Sequence, residues 1–138
     1  MYLDFFSSVL WQMVARNSKV YAARVRGQGA LFARRPLEVG EILVRYTGPL
    51  LTHAQADAST SKYLMTAYCQ TRAGGTRRTT IDGQGELAGF ANHADWDAAN
   101  AFVVDLLPHL LAREAAQRTA IVLVAKRHIR GHGALRRT

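Results

Sequence analysis

Almost every apolar run in this chain is four to seven residues long and stops at glycine, proline or an Asn/Asp turn. "KVYAARV" is closed by Gly27-Gln28-Gly29, "ALFA" by Arg34-Arg35-Pro36, "EILVRY" by Thr47-Gly48-Pro49, and "TTID" by Asp82-Gly83. Runs of that length with that punctuation read as short strands rather than helices. They predict a mainly β fold with short helices. The run "AIVLVA" is apolar throughout and is predicted to be a strand buried on both faces. Thr52-x-x-Gln55 has the spacing of a capping box and predicts a short helix over 53–58. "SKYLMTAY" fits either strand or helix, "RAGGTRRTT" reads as a flexible basic loop, and "ELAGFA" has room for one helical turn. Pro108 is placed to open a helix running to Arg118.

Leu3, Phe6, Leu10, Met13 and Val14 recur at helical spacing, which predicts an N-terminal amphipathic helix over residues 1–18, followed by one domain over 19–138. The helix has either the domain's own core or a partner or membrane surface to dock on. At 138 residues the chain is long enough for one core. A single cysteine, Cys69, excludes an internal disulfide and any multi-cysteine zinc cluster. No apolar run reaches membrane-spanning length and the start lacks the features of a secretory signal, so the expected location is intracellular.

The formal net charge of +8 is unevenly spread. Arginines and lysines concentrate in three zones: 16–35, 72–78 and 126–137. Between the second and third, "GELAGFANHADWDAANAFVVD" and the preceding Asp82 carry Asp82, Glu86, Asp95, Asp97 and Asp105 with no Lys or Arg. Either this acidic stretch lines a site that receives a cation, or it is a solvated loop offsetting basic neighbours. Asp95 and Asp97 near His93 do not make a metal motif, since the further ligands of a calcium loop and a second histidine at zinc spacing are both missing. The Arg-rich loop and tail are compatible with nucleic acid, although no aromatic residues interleave with the basic ones.

Three pieces then fall in order: Gly27-x-Gly29 with "ALFA", next "VRYTGPLL", and last "FANHA" followed by "VLVAKRHIRGHGAL". Together they resemble the SET domain, the protein-lysine methyltransferase family, over residues 19–135. Gly40-Glu41 and Tyr46-x-Gly48 match its opening segment, and Asn92-His93 its Asn-His-Ser. The resemblance implies small curved β sheets with the C-terminal segment threading near the Asn-His loop. It implies S-adenosylmethionine as cofactor, held by Gly27, Gln28, Gly29, Asn92 and His93, the last through its backbone. It further implies Tyr46 as a catalytic residue walling a lysine channel, and a substrate protein or peptide presenting that lysine. On the residues alone, Gly27-x-Gly29 reads equally as a hairpin turn, and the His93 imidazole as a core or turn histidine. The chain departs from the family where Ala94 replaces the serine and where Gly133 and Ala134 replace acidic residues. The family's terminal catalytic tyrosine would fall past Thr138. A catalytically weak SET-like binding module is therefore the alternative to an active methyltransferase, and a basic nucleic-acid-binding domain the third reading.

Overall fold

The computed structural model describes residues 11–71, 73, 75–107 and 119–138. Strands dominate. In chain order they are β1 (Trp11–Arg16), β2 (Val20–Val25), β3 (Gln28–Ala33), β4 (Ile42–Arg45) and β5 (Leu50–Leu51). Helix α1 (His53–Ala58) follows, then β6 (Leu64–Gln70) and β7 (Thr76–Asp82). A 3-10 turn, η1 (Leu87–Phe90), leads into β8 (Asn92–His93), β9 (Ala101–Asp105), β10 (Ile121–Ala125) and β11 (Arg136–Arg137). Among the described residues these make three small sheets, ordered β1-β2-β3, β4-β10-β9-β11-β8 and β5-β7-β6.

Trp11–Arg16 is a strand where the apolar spacing predicted a helix. It pairs antiparallel with β2, from Trp11 opposite Val25 to Arg16 opposite Tyr21. An unsatisfied strand edge offers a row of backbone partners, and that tertiary supply outweighs a helical spacing read over two turns. The rest of the expected helix, residues 1–10, and the expected helix at 108–118 lie outside the described residues. "SKYLMTAY" resolves to strand in β6, and the basic run is mostly strand too, since β7 begins at Thr76. Thr52 and Gln55 do form the capping box: the Gln55 amide donates to Thr52 Oγ1 at 3.2 Å, and the Thr52 amide to Gln55 Oε1 at 2.9 Å.

Period-2 patterning divides β2 and β3 between two apolar clusters. Val20, Ala22, Leu31 and Ala33 face the main core with Leu43, Tyr46, Ile81, Leu123 and Leu135, whereas Tyr21, Ala23 and Phe32 face the other side. The Tyr21 and Phe32 rings stack at 5.4 Å, and the Tyr21 hydroxyl lies 3.0 Å from His132 Nδ1. β10 is buried at every position because it is central, between β4 and β9.

The C-terminal segment ties the sheets together. Ala33 and Leu135 donate to the carbonyls of Gly133 and Leu31, so residues 133–135 run along β3. The chain then enters the five-stranded sheet as β11, inserted between β8 and β9 and parallel to both. Asn100 holds it there. Its Nδ2 donates to the Ala134 carbonyl and its Oδ1 accepts from the Arg136 amide, both at 2.8 Å, while its own amide donates to the Arg136 carbonyl at 3.0 Å. This is the threading that the resemblance implied.

Glu41 joins the start of β4 to the strands before it. Its carboxylate accepts both Arg35 guanidinium nitrogens, at 3.2 and 3.0 Å, and the Glu38 amide at 3.1 Å, with Lys19 Nζ at 3.5 Å. The Arg35 hydrogen bonds, then the Glu38 amide, hold its pKa at about 2 against an ordinary 4.5. A depressed carboxylate stabilises the fold above its unfolded pKa, and that contribution disappears as pH falls through the folded value. Thermal melts between pH 4.5 and about 2 are therefore expected to decline less steeply for Glu41→Gln than for the wild type. Equal declines would show that the cluster adds nothing.

Candidate cofactor cleft

The β2–β3 hairpin sets the first wall. Val25 pairs with Gln28, leaving Arg26 and Gly27 as a two-residue loop with φ of 54° and 80°. Positive φ at both loop positions is the type I′ hairpin that matches strand twist. Gly27 is thus explained by the turn, and Gln28 and Gly29 belong to β3, not to the turn the sequence predicted. The two-residue loop also puts Arg24 opposite Gly29.

Gly29 is glycine because of packing. A Cβ there would stand 2.7 Å from the Phe90 ring, which presses onto the bare backbone from η1. The segment carrying Phe90 is itself folded tightly, since a Cβ on Gly89 would lie 2.2 Å from the Gly83 carbonyl oxygen. The Arg24 guanidinium lies over the Phe90 ring at this corner, 5.5 Å from its centroid. Past η1 the chain enters β8, and Asn92 is exposed there with no side-chain hydrogen-bond partner among the described residues.

These residues enclose a cleft of about 350 Å³, lined by Arg24, Gly29, Tyr63, Gln84, Gly85, Gly89, Phe90 and Asn92. A second, more open cleft of about 540 Å³ shares Gly29 and Asn92 and adds Gln28, Phe32 and neighbours. Of the residues singled out in the sequence, Gly29 and Asn92 meet at the first cleft and Gln28 joins them at the second. Gly27 lies at the hairpin tip and lines neither. His93 is exposed and pairs in register with Arg137, and it also lines neither cleft.

Tyr46 lies beneath the first cleft with no accessible surface. Its hydroxyl donates to the Tyr63 carbonyl at 2.5 Å, and that carbonyl also accepts the Gly83 amide at 3.0 Å. Its ring occupies the space a Gly83 side chain would need, 2.6 Å from the position of a Cβ. Tyr46 thereby fixes the backbone from which the half-exposed Tyr63 ring reaches the cleft. Burial raises the Tyr46 pKa, with the nearby Arg137 acting in the opposite direction.

The stretch lines this cleft through Gly85, Gly89, Phe90 and Asn92, but none of its carboxylates does, and for the acids the structure favours the solvated-loop reading. Asp82 accepts from Ser61 Oγ at 2.7 Å and from the Gln84 amide at 3.1 Å, and Asp105 accepts the Leu107 amide at 2.9 Å. Asp95 and Asp97 sit in a turn beside basic residues: Lys126 Nζ bonds the Trp96 carbonyl and Arg127 that of Asp97. The charged group at the cleft is Arg24, which no sequence motif singles out. Its signal lies in the register of the hairpin, and is readable only once the turn is placed at 26–27. No group of three or more His, Cys, Asp or Glu side chains gathers in metal-binding geometry among the described residues.

The family profile of the SET domain matches residues 29–133, and the chain belongs to that family. No curated protein sequence matches it. Among solved structures it is similar to the crystal structure of the Chaetomium thermophilum polycomb repressive complex 2, with a TM-score of 0.56 and 20% identity over 80% of this chain. An active polycomb repressive complex 2 in the basal state gives 0.54 and 20% over 78%. The match spans 13% of each of those chains, and at this identity it shows a shared fold.

Two substitutions check the architecture. Gly29→Ala is expected to destabilise by about 1–3 kcal/mol by driving a methyl into the Phe90 ring, read as a lowered melting temperature. Tyr46→Phe removes one of two donors to the Tyr63 carbonyl and is expected to cost about 1 kcal/mol near neutral pH. Because the folded Tyr46 pKa lies above 10.0, its stabilisation holds below the unfolded value and fades as pH rises through the folded one. Tyr46→Phe is therefore also expected to flatten the alkaline limb of the stability profile. An unchanged limb would assign that loss to other groups.

Proposed function

We propose that this SET domain binds S-adenosylmethionine in the Gly29–Asn92 cleft and methylates a lysine side chain of a protein or peptide. The observation that carries the reading is the meeting, at one cleft, of two motifs from opposite halves of the chain. One supplies bare backbone at Gly29 and the other an unpartnered amide at Asn92.

The residues present fit the cofactor. Its amino-acid end needs a cation for the carboxylate and an acceptor for the ammonium, which Arg24 and the Asn92 carboxamide provide. The cleft volume is within the usual range for small-molecule sites, about 300–1,000 Å³. Gln28 and the second cleft offer further room beside Asn92. His93 enters the proposal through its backbone, and Gly27 through the turn that presents Gln28 and Gly29. When bound, S-adenosylmethionine supplies an electrophilic methyl group on a positively charged sulfur.

The chain's own task is to align an amine and keep it neutral. Presenting a free lysine as the amine at pH 7 costs about 4–5 kcal/mol. Desolvation and nearby positive charge both lower an ammonium pKa. The Tyr63 ring shields the cleft, Tyr46 holds Tyr63 in place, and Arg24 adds positive charge. Tyr46, fully buried beneath the cleft, acts here as a positioning residue and not as a wall or a group that touches substrate. Replacement of the family's acidic residues by Gly133 and Ala134 favours one second reading, a module that binds the cofactor with little turnover. A cofactor that is an intracellular metabolite places the activity inside cells, and no helix among the described residues is long and apolar enough to cross a membrane.

Calorimetric titration with S-adenosylmethionine tests the binding. At a hundredfold excess over Kd the ligand is expected to stabilise the fold by about 2.7 kcal/mol. Asn92→Ala is expected to abolish that gain while leaving the unliganded melt unchanged, since the amide has no partner to lose. Retained affinity in the variant would show the cofactor assignment to be wrong. Methyl transfer to a lysine peptide then separates enzyme from binding module.

A further inference from the structure

A second charged cleft lies where the C-terminal segment turns back toward β3. It measures about 500 Å³ and is lined by Asn100, His128, Ile129, Arg130, Gly133, Ala134 and Arg136. It shares no residue with the cofactor cleft. No carboxylate lines it, and no acid occurs anywhere in residues 126–138.

The two arginines sit on fixed backbone. The Gly133 amide donates to the Arg130 carbonyl at 2.9 Å, closing a tight turn in which His132 has a φ of 63°. Arg136 is held at both its amide and its carbonyl by Asn100. Both side chains are exposed, and neither guanidinium has a partner among the described residues. His128 is the one lining residue with an acidic neighbour, Glu38 at 3.4 Å. Arg127, next in sequence to His128, bonds a backbone carbonyl and keeps its charge uncompensated. Like charges held together without counter-charges raise the local potential, and an anion relieves it.

We propose that this cleft binds the phosphate backbone of a nucleic acid. A guanidinium fork matches phosphate oxygens bidentately. The cleft is open and basic, and its one large apolar residue, Ile129, is 3% exposed. An acidic peptide would find no exposed large apolar side chain in the cleft to dock against. A phosphate backbone needs only positive charges along its path, which Arg130 and Arg136 supply in the cleft, with Arg127 in the same basic segment. The recognition is of backbone charge and carries no base sequence.

The test is fluorescence anisotropy of a labelled DNA duplex of about 20 base pairs with the 138-residue chain, stepping salt from about 50 to about 200 mM. Wild type is expected to bind with a salt-dependent affinity. Arg130→Gln/Arg136→Gln is expected to reduce the slope of log K against log salt by about two, one for each phosphate no longer neutralised. The β7 variant Arg77→Gln/Arg78→Gln is expected to keep the slope. Arg130→Gln alone, whose side chain has no protein partner, is expected to lower the slope by about one and guards against misfolding of the double variant, which circular dichroism monitors. Absence of wild-type binding, an unchanged slope in both Arg130 variants, or transfer of the effect to the β7 variant each overturns the proposal. So does tighter binding of a poly-glutamate peptide than of the duplex.

Discussion

Strand β11 is two residues long, yet the candidate site hangs on it. Among the described residues β8 lies at the edge of the five-stranded sheet, and β11 is the only strand beside it. Asn92 therefore has a defined position only when the last residues of the chain have passed between β8 and β9. Asn100 makes this insertion possible by meeting three backbone groups of 134–136 that would otherwise lie unpaired at the junction. Buried backbone groups must find partners, so a short strand clamped in this way is stable where an unclamped one would not be. The arrangement joins residues far apart in sequence, so the site depends on non-local pairing and not on one local segment.

Close packing shapes the cleft from beneath. Phe90 lies against Gly29, Tyr46 against Gly83, and Gly89 against the Gly83 carbonyl, each at distances no side chain would permit. These contacts bring the β3 hairpin, the β4 strand and the η1 turn within reach of one another. They also explain the glycines at 83 and 89, while Gly85 serves a turn with a φ of 79°. Carbonyls and amides of this segment are engaged in successive turns, from Glu86 to Gly83 and from Gly89 to Glu86. The tyrosine hydroxyl beneath the cleft closes the set by holding the backbone of Tyr63 from below.

The charge distribution divides the molecule by role. The acidic residues cap turns and sit beside lysine and arginine, so they serve local structure. Positive groups are the ones left facing clefts: Arg24 at the first, Arg130 and Arg136 at the other. A linear count of charges suggests the reverse, because it locates the acids near Asn92 in sequence without showing which way the backbone turns them.

Much of the fold is legible from residues 19–105. The short apolar run "VYAARV", closed by a glycine turn, and, further on, the unbroken run "AIVLVA" identify two central strands, because burial on both faces leaves apolar residues at consecutive positions. Thr52 and Gln55 announce their helix through a reciprocal bond spanning four residues. The segment 11–16 misleads because its partner β2 supplies hydrogen bonds that no local pattern reveals. Tyr46 is matched by motif, but its burial and its bond to Tyr63 depend on packing. The sequence by itself determined the strand-and-turn grammar, the SET family and two residues of the cleft, since those rest on local chemistry and ordered motifs. Tertiary structure alone decided that Arg24 faces the cleft, that the acids do not, and that the C-terminal residues complete the sheet, because each depends on which distant backbone lies alongside.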